Sequence, residues 1–96
     1  MSKKIKVYSP LMLDIEKAEP TYENDKSKWW LVHISKSKKH SIYRVCSKET
    51  KEQDYVLMNN KTNEIETISK QLEQCFVEID MLEAYERLSK WVKKLK

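Results

Sequence analysis

The chain has 96 residues, enough for one small domain and too few for a second independent core. It contains no glycine, which excludes the G-x-x-x-x-G-K-[ST] and G-x-G-x-x-G phosphate loops and the G-x-S-x-G nucleophile elbow, because all three need glycine's backbone freedom. The net charge is +4, but the nineteen basic residues are all Lys except Arg44 and Arg87, so the planar forks that read bases and phosphates bidentately are nearly missing.

Hydrophobic residues make up 40% of the chain, enough for a core, and the 35% that are charged have both signs interspersed, as on a solvated globular surface. Excess Lys with frequent Asn and Ile also fits coding by an AT-rich genome. Cys46 and Cys75 are the only cysteines and form no C-x-x-C pair. The first residues carry no apolar leader, and no segment approaches the ~18 apolar residues of a membrane span. The expected setting is the cytoplasm, without membrane contact, with both thiols reduced and the Asn60-Lys61-Thr62 sequon unused.

Residues 3–8 open with alternation, Ile5 and Val7 against Lys4, Lys6 and Tyr8, as in a strand that Pro10 cuts short or holds at an edge. Leu11, Met12, Leu13 and Ile15 are apolar enough to require packing. Residues 18–27, with Pro20, Asn24 and Asp25, read as the longest loop. Residues 28–35 are apolar on both faces, Trp29 and Leu31 on one and Trp30, Val32 and Ile34 on the other, which suits a central strand. A lysine-rich turn leads to a strand at 41–47, and residues 48–54 are a charged connection. Strands 55–59 and 63–68 bracket Asn60-Lys61-Thr62, a hairpin turn in which Asn replaces Gly because it tolerates the left-handed region.

Beyond Ile68 two apolar stripes conflict. Leu72, Cys75, Phe76, Ile79 and Leu82 form one at helical spacing; Met81, Tyr85, Leu88, Val92 and Leu95 form another on the opposite side. One straight helix cannot bury both against the same core. The expected resolution is a break at Asp80, an N-cap with Glu83 as its reciprocal partner, opening a helix over 81–95. Residues 75–79 then become a further strand, with two consecutive helices as the competing arrangement. The fold predicted is α+β: one domain over 1–96, with a small antiparallel β-sheet of four to six strands in meander hairpins, packed by a C-terminal amphipathic α-helix.

No catalytic motif, cofactor fingerprint or metal site emerges. His33, His40, Cys46 and Cys75 contain no close ligand pair of the kind zinc sites use. The acidic residues read as partners of the lysines. The functional candidates are basic residues beside aromatics: Lys36, Lys38, Lys39 and His40 in one turn, Trp29 and Trp30 on the preceding strand, and Tyr43 with Arg44 on the following one. Neighbouring strand residues point to opposite faces, so only one of the two tryptophans belongs to the main core unless both faces are covered. The stripe from Met81 to Leu95 is expected to pack on the sheet, with pairing to the same helix of a second subunit, a homodimer, as the next reading. Trp91 then lies on the helix flank as a contact residue.

Short length, lysine bias and missing catalytic motifs resemble the small accessory proteins of bacteriophages and mobile elements. That resemblance implies a non-catalytic factor that docks on and modulates or inhibits a larger intracellular protein. The alternative is low-specificity nucleic-acid binding, with lysines neutralising phosphates and aromatics stacking bases.

Overall fold

The computed structural model describes residues 6–94. Strands β1 (Tyr22–Glu23), β2 (Ser27–Ile34), β3 (His40–Ser47), β4 (Gln53–Asn59) and β5 (Glu64–Ser69) form one sheet in chain order, each antiparallel to the next, followed by a single helix α1 (Leu72–Lys94). This is the α+β arrangement expected, a meander packed by a C-terminal helix.

Without glycine, the turns place other residues in the left-handed region. Lys38 (φ 64°), Lys51 (φ 64°) and Asn63 (φ 60°) take it, one in each of the three long hairpins. Asn63 rather than Asn60 supplies the asparagine, and its N–H donates to the Asn59 carbonyl at 2.7 Å. Its short polar side chain makes that conformation less costly than it is for a lysine.

Two bulges decide which side chains share a face. Residues opposite each other across antiparallel strands lie on one side of the sheet. Leu31 stands opposite Tyr43 but His33 opposite Ile42, so Val32 is the extra residue; between Met58–Ile65 and Leu57–Thr67, Glu66 is extra. Ile34 therefore joins Trp29 and Leu31, not Trp30 and Val32 as strict alternation predicts.

The core lies between the sheet and α1. Val32, Ile42, Leu57, Cys75 and Ile79 are buried in one cluster, with Leu13, Tyr55, Leu72 and Leu82 packed around it. Residues 6–18 form an arm on the same side, where the Trp30 indole Nε1 donates to the Ala18 carbonyl at 3.0 Å. Trp30 is 1% exposed, so it is the core tryptophan.

Four expectations need correction. Of the strand at 3–8, residues 3–5 lie outside the described residues; residues 6–8 form no strand, and the Tyr8 N–H donates once, to the Leu31 carbonyl at 2.8 Å. Pro10, without an N–H, cannot extend that pairing. Leu11 and Met12 do not pack but sit on an exposed turn. Residues 18–27 contain the short strand β1, paired with β2 through Tyr22–Trp29 and Glu23–Lys28.

The fourth concerns the helix. Residues 75–79 are helical, and α1 runs unbroken through Asp80. The conflict between two stripes is resolved by burying only one. Leu72, Cys75, Ile79 and Leu82 face the sheet, while Met81, Tyr85, Leu88 and Val92 face away from the core instead of packing on it; Leu95 lies outside the described residues. No helix among the described residues is long and apolar enough to cross a membrane.

Candidate functional site

Two apolar surfaces stay open, one on the sheet and one on the helix. On the sheet face away from α1, Trp29 stands opposite Val45, Tyr43 lies between Leu31 and Val56, Val56 is opposite Ile68, and Met58 is opposite Ile65. Leu31 and Val56 are buried at its centre, while Tyr22, Ile65 and Ile68 are exposed at its margins. Among the described residues no second layer covers this face.

Its aromatic side chains are ordered by their mutual packing. Trp29 meets Tyr43 edge to face with ring centroids 5.6 Å apart, and Tyr22 meets Trp29 in the same manner at 6.3 Å. Such contacts are worth ~0.5–1.5 kcal/mol each beyond the area they bury. The Trp29 Nε1 donates to Ser27 Oγ at 2.8 Å, so the ring presents an apolar surface with its one polar atom already satisfied. Burial pushes the Tyr43 phenol above its ordinary 10.0, leaving it neutral at physiological pH.

The candidates read from the sequence do not form one cluster. Trp29 and Tyr43 come together, but Trp30 and Arg44 stand opposite each other on the helix side. There the Arg44 Nε donates to Gln53 Oε1 at 2.8 Å and Nη1 to the Tyr55 hydroxyl at 3.1 Å. Lys36 and Lys38 are exposed in the β2–β3 turn, roughly 23 Å along the strand from Trp29 at ~3.3 Å per residue. Lys39 in that turn is paired with Glu86 of α1 at 2.7 Å. His40 is buried and its Nδ1 donates to Glu83 Oε2 at 3.1 Å. Trp91 is exposed on α1.

Tyr22, Ile65 and Ile68 escaped the sequence reading. Ile65 and Ile68 are three residues apart, which in a regular strand means opposite faces. The bulge at Glu66 puts them side by side, and no local signal in the sequence marks it.

His33, His40 and Cys75 are engaged on the helix side of the sheet. His33 packs edge to face on Phe76 at 4.7 Å, and burial pushes its imidazole below the ordinary 6.5. Cys75 is fully buried, and that burial, aided by Glu78, pushes its thiol above 9.0, away from the reactive thiolate. Among the described residues no three His, Cys, Asp or Glu side chains converge as metal ligands do.

Comparison of the chain with protein-family models, with curated proteins and with solved structures finds no match.

Proposed function

We propose that this chain is a non-catalytic binding protein that docks on a larger protein through the open face of its sheet and modulates that protein. The observation that carries the reading is the sheet face on which Trp29 and Tyr43 are half-buried and Tyr22, Ile65 and Ile68 are exposed. Monomeric proteins rarely leave a contiguous apolar patch beyond a few hundred Å² in water unless something binds there. Trp and Tyr are the side chains most often found at energetic centres of interfaces. Their edge-to-face packing holds them in place beforehand, which lowers the entropy lost on binding.

Stacking of single-stranded bases on Trp29 and Tyr43 is the second reading, and it rests on the same rings. It ranks lower because the free lysines of the turn are distant and Arg44 is engaged on the other side of the sheet.

The test is affinity capture from the source cell with the native chain, Ile68→Glu and Trp29→Ala, followed by reconstitution with the purified polypeptide. The expected result is one polypeptide held stoichiometrically by the native chain, kept at high salt, and lost from both variants. The reading fails if the variants capture the same set as the native chain. It fails equally if the purified chain instead shifts oligonucleotides with an affinity that collapses between ~50 and ~200 mM salt.

A further inference from the structure

The outer face of α1 has features that partner docking on the sheet does not use. Val77, Met81, Ala84, Leu88 and Trp91 follow one another at intervals of 4, 3, 4 and 3 residues, the spacing of a coiled-coil seam. The four large members are 50–62% exposed, and they lie roughly 120–180° around the helix from Ile79 at ~100° per residue. Residues 87–92 are exposed on every side, so the last turns of α1 have no packing partner among the described residues. Helical turns with nothing packed on them are marginal in water. An apolar seam on such a segment is a surface that another helix covers.

Charge identifies that helix. Asp80 and Arg87 sit on the same flank of the seam, seven residues apart, and neither forms an ion pair among the described residues. We propose that this face pairs with the same face of a second copy of the chain, the two helices running antiparallel about an axis between residues 82 and 83. In that register Asp80 of each copy faces Arg87 of the other, twice by symmetry. Met81 stands opposite Ala84 of the second copy, large against small, Val77 opposite its Leu88, and Trp91 at the end of the seam opposite its Gln74.

A parallel pair lacks these matches. It sets Asp80 against Tyr85 and Arg87 against Val92, leaving both charges unpaired, and brings Glu73 against Glu78 of the second copy. The antiparallel arrangement is therefore the self-complementary one, as a two-fold interface requires. Five side chains per copy along roughly 21 Å of helix make a small interface, at the weak end of the specific class, with a dissociation constant in the ~micromolar range. The sheet face lies across the core from this seam and remains free for its own partner.

Sedimentation velocity on the full chain over roughly 1–200 µM tests the pairing. The native chain is expected to shift from monomer to dimer across that range. Asp80→Arg alone and Arg87→Asp alone each weaken association at least ~10-fold, because each places like charges opposite one another. An equimolar mixture of the two variants dimerises again, since every flank pair is then of opposite sign. Circular dichroism of the separate variants confirms that they remain folded. A monomer at all concentrations overturns the proposal. So does a dimer indifferent to both substitutions, a mixture that stays monomeric, or a dimer dissolved by Ile68→Glu, which assigns self-association to the sheet face.

Discussion

His40 Nδ1 lies 3.1 Å from Glu83 Oε2, joining the first residue of β3 to the middle of α1. The histidine side chain is 7% exposed and the carboxylate 21%, so the contact is shielded from water. It falls just beyond Asp80, where the sequence suggests a break, and with Lys39–Glu86 it holds α1 against the β2–β3 turn. Glu83 is committed to the sheet rather than to capping a new helix.

Removing either partner strands the other. His40→Ala and Glu83→Ala are each expected to cost ~1–3 kcal/mol in urea unfolding followed by circular dichroism. The double variant should lose less than the sum of the two, and additivity within ~0.3 kcal/mol contradicts the pairing.

Acid should loosen the same interface. Burial alone raises the Glu83 carboxyl, but hydrogen bonds from Ser37, His40 and Ser35 and the charge of His40 outweigh it, and the group ends below its ordinary 4.5. The unfolded chain then takes up that proton first, so the stability Glu83 supplies is complete above 4.5 and is lost as pH falls through its folded value. Half-buried His33 acts in the same direction from higher pH. Its folded value lies below 6.5, so the unfolded state binds the proton more readily as pH drops from 6.5. Thermal midpoints should decline steadily from neutral pH towards pH ~4. His33→Leu should flatten the upper part of that curve and Glu83→Gln the lower.

Two lysines hold a backbone conformation that favours glycine. Lys38→Gly and Lys51→Gly should each stabilise the fold by ~0.5–1 kcal/mol, the steric relief exceeding the entropy glycine adds to the unfolded chain. Scanning calorimetry should show a rise of a few degrees in Tm for each, roughly in line with ~4–8 °C per kcal/mol. The same change at Asn63 should bring less.

The Trp30 indole ties residues 6–18 to the sheet through the Ala18 carbonyl. Trp30→Phe keeps most of the apolar bulk and removes the donor. The arm should be cut faster by trypsin at Lys17, while the sheet and helix melt within ~1.5 kcal/mol of the native chain.

Surface and core should separate cleanly in a mutational series. Leu57→Ala, at 0% exposure, should cost ~2–5 kcal/mol. Ile68→Glu and Leu88→Glu, on the open sheet face and the outer helix face, should change monomer stability by less than ~0.5 kcal/mol. A large loss from Leu88→Glu, measured well below the concentration of association, contradicts the orientation of α1.

Local pattern carried much of this fold. The strand at Trp29–Trp30, the hairpins around Lys38 and Asn63, and an amphipathic C-terminal helix all follow from periodicity and turn chemistry, because these are interactions among near neighbours. Periodicity also exposed the two opposed helical stripes, but the expectation that the stripe from Met81 packs on the sheet named the wrong one: the core takes Leu72, Cys75, Ile79 and Leu82.

Tertiary structure decided the rest, through contacts between residues far apart in the chain. Glu83 meets His40 across 43 residues, and the burial of Cys75 and Ile79 against the sheet, with Leu72 and Leu82 beside them, leaves the second stripe outward. Bulges at Val32 and Glu66 bring Ile34 to the side of Trp29 and Ile65 beside Ile68. A bulge is set by register against the neighbouring strand, so one strand's own pattern cannot reveal it. Composition by itself established a glycine-free, lysine-rich chain with aromatic side chains to spare; which of those side chains stay uncovered was settled only when sheet and helix packed.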